Sequence, residues 1–391
     1  MHLRRYFAGL TRNTFLLAFA SLFADISTEM LYPVLPVFLT ETLGATGSVV
    51  GVVEGTAVAV QYVWQGFAGW LSDRFQRPKL IALAGYFVAA LSKPLIGLSS
   101  SWQAVLGARA LDRFATGTRS APRDAMVAAS ASPEHRGKAF GLEGIGDNLG
   151  ACLGPLIAIA LLSWFGFEMR SIFLLAVIPG LVAAVMILLI REQPIHTRAK
   201  ARLDSNARRF PREYWRYLAV TAVFGIGNSS NSFLILRTRD LGGSLTTTVL
   251  IYAMFNFVAA VTSYPAGYIS DQLGRKKVLL ASFAVFLIVY LGFSSTSNVW
   301  LIAVLFLLYG VFEAAYRAVG KALATDFVPP DLRASGVGWY SATVGLSGLV
   351  ASLVGGQLWT HTGPASTFLF GAVMSAIGIV AAVMLIEKKS G

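Results

Sequence analysis

The sequence is poor in charged residues and nearly free of cysteine. Charged residues make up 13% of the 391 positions, which is about half the share of a typical soluble domain. Cys152 is the single cysteine, so an intramolecular disulfide is impossible. The histidines lie outside the apolar runs, in predicted termini, linkers and loops, and therefore predict no metal site within them: His2, His135, His196 and His361.

The chain also lacks a phosphate-binding loop of the G-x-x-x-x-G-K-[ST] type, so ATP is not expected to drive it directly. The predicted loops are short, and none can hold a soluble catalytic or ligand-binding domain. No nucleophile–base pairing stands out, and repeated selectivity rings of a channel are missing. We therefore expect no enzyme activity, no cofactor and no metal.

Long apolar runs are the main feature of the sequence. Hydrophobic residues make up 55% of the chain, and apolar runs of ~20 residues recur, long enough to cross ~30 Å of hydrocarbon as helices. This pattern predicts an all-α membrane protein with twelve transmembrane helices. The predicted spans are 14–40, 48–71, 79–98, 102–130, 138–164, 170–190, 216–238, 246–270, 277–296, 299–326, 335–360 and 365–386.

The formal net charge of +12 is distributed unevenly. Most Lys and Arg residues lie in the termini and in the loops on one side, whereas the opposite loops hold only Arg170, Arg237 and Arg239. By the positive-inside rule, both termini are predicted to be cytoplasmic, in the cytoplasmic (inner) membrane. No soluble basic patch is predicted, which argues against a nucleic-acid partner. The first run, Thr14–Leu39, is too long for a signal-peptide core and is interpreted as a retained span.

A repeated motif divides the chain into halves. The stretch Gly267–Leu279, GYISDQLGRKKVL, is preceded by a second copy at Gly69–Leu80, GWLSDRFQRPKL, with Gly, Asp, Arg and Lys each 198 positions earlier. Both copies lie between two predicted spans. The repeat predicts an N-terminal six-helix bundle over 1–190, a cytoplasmic basic linker over 191–215 and a C-terminal six-helix bundle over 216–391.

These residues resemble the loop 2–3 and loop 8–9 signature of the major facilitator superfamily, G-x-L-a-D-r-x-G-r-k. The first copy departs at Gln76 and Pro78. The resemblance implies two pseudo-symmetric bundles, a substrate site near the midplane and transport by alternating access, as in the drug and metabolite exporters. It also implies a conformational latch at helix ends, against the alternative of solvated ion pairs. The predicted latch residues are Gly69, Asp73, Arg77, Gly267, Asp271 and Arg275.

Two acids within span one are candidates for proton coupling. Asp25 and Glu29 are four residues apart and share a helix face, and carboxylates inside a membrane usually face the bundle interior. In span four, Arg113 begins a partial match to the R-x-x-q-G pattern of the family, a site linked to proton transfer. We consider Arg113 the first candidate partner of the span-one acids. The alternative is a purely structural salt bridge to Arg113 or Arg119.

Further polar residues predict a substrate cavity. Arg119 and Arg123 in span four have counterparts 198 positions later, and four cations converging on a cavity would suit an anion. Local neutralisation by acids such as Glu313 is the alternative. The predicted cavity residues are Arg119, Arg123, Asn228, Asn231, Glu313, Arg317 and Lys321.

Glycines at every fourth position of span five predict close helix packing: Gly146, Gly150 and Gly154, followed by Pro155. This stretch resembles the g-x-x-x-G-P pattern of antiporters in the family. The sequence thus favours a monomeric, proton-coupled exporter (antiporter) of a small organic molecule, with small-molecule substrate, protons and the lipid bilayer as its partners. A symporter or exchanger of an organic anion held by Arg119 and Arg317 is the second interpretation.

Overall fold

The computed structural model describes residues 10–75, 77–132, 136–191, 209–329 and 332–386, and these are helical almost throughout. Within them, each of the twelve predicted spans coincides with one helix or with a broken pair. The helices are α1 (Arg12–Glu29), α2 (Leu35–Val37), α3 (Gly47–Phe75), α4 (Pro78–Leu98), α5 (Trp102–Ala129), α6 (Arg136–Ser163), α7 (Met169–Leu175), α8 (Val177–Leu188), α9 (Arg212–Gly227), α10 (Ser232–Asp240), α11 (Leu245–Leu273), α12 (Arg275–Ser295), α13 (Val299–Asp326), α14 (Arg333–Thr362) and α15 (Pro364–Leu385), with a π-helical turn over Phe38–Thr42.

Local chemistry fixes the helix ends. Thr11 and Thr14 form a capping box at the start of α1, and the side chains of Ser101 and Asn298 cap α5 and α13. The signature glycine Gly274 separates α11 from α12 with φ of +92°, a conformation that side chains with a Cβ rarely adopt. This explains why the signature carries glycine at that position.

Span one was predicted to be kinked by Pro33 and Pro36, whereas spans six and seven were predicted as continuous helices; the structure interrupts all three. Span one stops at Glu29 and resumes at Leu35, because Pro33 cannot supply a helical N–H. In span six, the Ser27 hydroxyl donates to the carbonyl of Ala176, 2.6 Å away, where α7 meets α8. Span seven stops at Gly227, 198 positions after Glu29, in a run of glycine, serine and asparagine that favours turns.

Nine helical segments of the described chain are long and apolar enough to cross a bilayer. Predicted spans one, two and four are not among them. The helix of span four, α5, carries several buried or half-buried charges, and span one is interrupted after Glu29. Membrane insertion of these two spans therefore depends on pairing their charges inside the protein rather than on hydropathy.

The chain divides into two compact units. The first comprises Met1–Tyr32 and Val63–Ala201, and the second comprises Pro33–Tyr62 and Arg202–Gly391. The main helix contacts repeat in both. In the first unit, α1 packs on α8, α4 packs on α5, and α4 packs on α8. In the second unit, the equivalent pairs are α9 with α15, α12 with α13, and α12 with α15. The predicted domain boundaries stay a prediction, and the packing assigns residues 33–62 to the second unit.

The cores of the two units differ in composition. The first unit packs many small side chains, including Ala20, Ala24 and Ala82, around Leu17. The second unit contains a network of packed aromatic rings. The ring centroids of Phe224 and Phe283 lie 3.8 Å apart, and the two rings are nearly parallel. Buried charge is concentrated in the first unit.

Candidate functional site

The acidic face of α1 lies against the glycine stripe of α6. A Cβ atom added at Gly150 would lie 2.8 Å from Cβ of Asp25, and one added at Gly154 would lie 2.8 Å from Cβ of Glu29. The third glycine, Gly146, faces the backbone of Ala18 in the same way. The stripe therefore lets the α6 backbone approach the helix face that carries both acids.

Asp25 has an arginine beside it in the first unit. Its Oδ1 lies 3.8 Å from Nη2 of Arg119, whose side chain is only 6% exposed, against 25% for Asp25. The Arg119 guanidinium is stacked on Tyr86, with Cζ 4.5 Å from the ring centroid. Nε and Nη1 of Arg119 and the Tyr86 hydroxyl are buried without a hydrogen-bond partner. This ion pair is thus only partly formed. Burying the two unpaired N–H donors of Arg119 still costs desolvation free energy.

Arg123, one turn further along α5, is surrounded by acids. Its guanidinium lies 2.9 Å from Glu143, 3.0 Å from Asp124 and 3.5 Å from Asp147. It also donates to the Ser21 hydroxyl, which in turn donates to Glu143. Three carboxylates around one cation leave this cluster with excess negative charge.

The opposite arrangement lies near the start of α5. Asp112 is fully buried. Its carboxylate oxygens lie 3.1 Å from Nζ of Lys93, 3.1 Å from Nη1 of Arg109 and 3.5 Å from Nε of Arg113. Three cations share this carboxylate, and Arg109 also lies over the ring of Tyr32. We call Lys93, Arg109, Arg113 and Asp112 the basic cluster. The contact with Asp25 is made by Arg119, and Arg113 lies beside Asp112.

The second unit has a polar site at the break between α9 and α10. The hydroxyl of Tyr309 lies 3.2 Å from Oδ1 of Asn228 and 2.9 Å from Oδ1 of Asn231. One hydroxyl proton cannot serve both oxygens, so one amide must turn and donate to the tyrosine oxygen. Ser232 and Asn256 each have a buried polar atom without a hydrogen-bond partner.

The predicted cavity residues of α13 differ in exposure, and Glu313 is the least exposed of them. The Arg317 side chain is 76% exposed, and its Nε donates to Glu313 at 2.6 Å on the same helix. Lys321 is also exposed. Arg119, Arg123 and Arg317 therefore each have an acid partner within their own unit. This is the local neutralisation considered as the alternative to an anion site.

The latch residues are described only in part. The side chains of Asp73 and Asp271, and Gly69, lie outside the described residues, so the latch stays a prediction. Arg275 pairs with Asp326 at 2.8 Å, and Arg77 precedes the first turn of α4. A Cβ atom added at Gly267 would meet no atom within 4 Å.

Sequence reasoning missed three features. Tyr86 and Tyr309 were not singled out, because an aromatic residue in an apolar span is usually part of the core. The ion pair between Glu41 and Arg239 was also missed, although the two residues are 198 positions apart. The repeat spacing could have identified that pair. Among the described residues, no group of three or more side chains is arranged to hold a metal ion.

Comparison with known proteins identifies the family of this chain. The family model described as Major Facilitator Superfamily matches residues 17–236 and again residues 217–390. The chain is 32% identical to an uncharacterized MFS-type transporter of Methanocaldococcus jannaschii, covering 94% of this chain and 93% of that one. It is 28% identical to the Multidrug resistance protein MdtG of Enterobacter lignolyticus, covering 89% and 82%.

A crystal structure of the nucleoside transporter NupG has a TM-score of 0.77 to this chain, covering 97% of this chain and 100% of that one. The identity is 15%, so this likeness shows the fold alone. The predicted fold class, an all-α membrane protein of two pseudo-symmetric six-helix bundles, is confirmed.

Proposed function

We propose that this chain, which belongs to the major facilitator superfamily and is a membrane transporter, exports a small organic solute by alternating access in exchange for protons. The observation that carries the coupling is the half-formed pair of Asp25 and Arg119, 3.8 Å apart. A carboxylate inside a span is costly when charged, and Arg119 offsets part of that cost. A quarter of the Asp25 side chain is exposed, which supports Asp25 rather than the more deeply buried Arg119 as the group that exchanges the proton.

Export is the direction favoured by two observations. The Gly154-Pro155 step follows the glycine stripe, as in the antiporter pattern that the sequence resembles. The relative MdtG is named as a multidrug resistance protein. The uneven distribution of Lys and Arg supports a location in the cytoplasmic membrane with both termini on the cytoplasmic side. Two bundles within one chain support a monomeric transporter.

A flux assay tests this proposal. The protein is reconstituted in proteoliposomes with an acidic lumen, and ethidium is added outside as a multidrug probe. Antiport predicts faster ethidium accumulation in the liposomes than in protein-free liposomes, and collapse of the gradient with a protonophore should abolish the difference. Asp25→Asn should abolish it as well, whereas Asp240→Asn, at an exposed helix end, should not. Gradient-independent flux in the unsubstituted protein would contradict proton coupling.

Symport or exchange of an organic anion is the second candidate. The basic cluster favours it, since three buried cations around Asp112 exceed the charge of that carboxylate. The anion site first predicted at Arg119 and Arg317 is less favoured, because both arginines have acid partners. With benzoate as the probe, an acidic exterior should drive uptake by a symporter faster than the uptake by diffusion in protein-free liposomes, and an acidic lumen should not.

A further inference from the structure

The ring of Tyr86 lies against the guanidinium of Arg119 in the first unit. Cζ of Arg119 is 4.5 Å from the ring centroid, inside the ~6 Å range of a cation–π contact. Tyr86 is 2% exposed and Arg119 is 5% exposed, so the contact is shielded from water. A cation–π contact is strongest when both groups are desolvated, as they are here.

Close packing of α4 on α5 fixes this pair. Gly85 precedes Tyr86, and a Cβ atom added at Gly85 would lie 2.8 Å from the carbonyl oxygen of Ala115 and 2.9 Å from Cβ of Arg119. The two backbones therefore approach each other beside the ring. This approach places the base of the Arg119 side chain, and its guanidinium extends over the ring towards Asp25.

Hydrogen bonds contribute little to the position of the Arg119 guanidinium. Nη2 is 3.8 Å from Oδ1 of Asp25, which is longer than a hydrogen bond, and Nε and Nη1 have no hydrogen-bond partner among the described residues. Arg123 is the contrasting case, because its Nε and Nη2 both donate to Asp124. The ring of Tyr86 is therefore the contact that can hold the Arg119 guanidinium in place.

The position of Arg119 matters because acids and bases are balanced around Asp25. The ionisable side chains that interact with Asp25 lie on α1, α5 and α6: Glu29, Arg119, Arg123 and Asp147. Of the other helices packed on α1, α8 carries no ionisable residue, and α4 contributes Tyr86 beside Arg119. With two acids and two bases around it, the charge on Asp25 is sensitive to the distance of either base. Arg123 is held by other acids, and Arg119 is held by the ring.

We propose that Tyr86 is a positioning residue for proton exchange at Asp25, because its ring holds the Arg119 guanidinium beside the carboxylate. This inference rests on the proposed role of Asp25 in proton coupling. A cation at a fixed short distance stabilises the charged form of a carboxylate. Without the ring, Arg119 can turn its buried N–H groups towards other acceptors, and Asp25 then releases its proton less readily.

The test measures the protonation of Asp25 without substrate or a pH gradient. Dicyclohexylcarbodiimide reacts with protonated carboxyl groups, and fragment-ion mass spectrometry distinguishes a label on Asp25 from one on Glu29. The purified protein is labelled over a range of pH. On the alkaline side, where labelling falls with pH, Tyr86→Leu should be labelled about tenfold faster than the parent, the change expected when the charges separate from 3.8 Å to about 6 Å at an effective dielectric constant of about 20.

Two variants that retain the aromatic ring keep the test decisive if Tyr86→Leu does not fold. Tyr86→Phe keeps the ring face, so Asp25 should be labelled at the rate of the parent. In Tyr86→pentafluorophenylalanine the ring is retained, but its fluorine atoms withdraw the negative charge of the ring face that attracts a cation. Labelling of Asp25 should therefore be faster in this variant than in Tyr86→Phe.

Two controls show whether the effect passes through Arg119. In an Arg119→Met background, phenylalanine and pentafluorophenylalanine at position 86 should give equal labelling of Asp25. The pair of Arg109 and Tyr32, with Cζ 5.6 Å from the ring centroid, is the matched site. Phenylalanine and pentafluorophenylalanine at position 32 should also give equal labelling of Asp25.

Equal labelling of the two ring variants at position 86 in the parent background would overturn the proposal. A difference that persists undiminished in the Arg119→Met background would overturn it as well. The proposed function fails on a different result, because gradient-independent flux in liposomes would refute proton coupling, whereas labelling would still show whether Tyr86 acts on Asp25 through Arg119.

Discussion

Replacing Gly150 by alanine tests whether α6 must touch the acidic face of α1. The added Cβ would lie 2.6 Å from the carbonyl oxygen of Leu22 and 2.8 Å from Cβ of Asp25. Overpacking of this kind costs about 1–3 kcal/mol. Alanine also stabilises a helix relative to glycine by roughly 0.5–1 kcal/mol. The net expectation for Gly150→Ala is therefore a loss of about 0–2.5 kcal/mol in the free energy of unfolding.

The same helix supplies the control. A Cβ added at Gly144 would meet no atom within 4 Å, so Gly144→Ala keeps the gain in helix propensity without the clash. Unfolding in SDS titrations, followed by circular dichroism, gives the free energy of each variant. The two variants should differ by about 1–3 kcal/mol, because propensity cancels in the comparison. Equal free energies would refute the close approach, and with it the geometry that holds Asp25 against α6.

Four further substitutions test coupling, stability and recognition separately. Asp25→Asn should preserve folding while gradient-driven ethidium flux is lost, because the amide cannot exchange a proton with water; flux that survives contradicts its role. Asp112→Asn should cost about 3–5 kcal/mol in SDS titrations, since three buried cations lose their shared carboxylate, whereas Lys93→Met should cost less; equal losses would argue against charge imbalance. Tyr309→Phe should cost about 1 kcal/mol of unfolding free energy, the net value of one hydrogen bond, and no loss would show that its asparagine contacts are unimportant.

The architecture could be predicted well from the sequence, because the apolar runs and the repeated motif can each be read from consecutive residues. Apolar length identified the spans, and the motif at Gly69 and Gly267 identified the duplication. The helix breaks were harder to predict from the sequence. Pro33 and Pro36 predict a kink in span one, and Pro179, which has no N–H to donate to Leu175, lies beside the interruption of span six. The bond from the Ser27 hydroxyl to the Ala176 carbonyl at that interruption joins distant residues and has no local sequence signal.

The candidate site was predicted as a set of residues but not as a set of pairs. Asp25, Arg119, Arg123 and Glu313 were all identified from charge within apolar runs, which is an unambiguous signal. Which acid meets which base depends on helix rotation and register. Arg113 and Arg119 are less than two turns of α5 apart, and Arg119 is the one that lies beside Asp25. The partners without charge, Tyr86 and Tyr309, could not be distinguished from core aromatics.

The duplicated halves carry different polar residues beside corresponding helix breaks, and this difference suggests a division of labour. Span one carries Asp25 and Glu29 just before its break, whereas span seven carries Asn228 and Asn231 at the equivalent break. Carboxylates change charge with protonation, and asparagine amides do not, but the amides offer both donors and acceptors to a neutral ligand. The same backbone feature would therefore serve proton exchange in the first unit and solute recognition in the second. A double variant that exchanges the carboxylate and the amide, Asp25→Asn with Asn228→Asp, should retain the fold and lose proton-coupled flux. Recovery of gradient-driven flux in that variant would show that the carboxylate can work from either break.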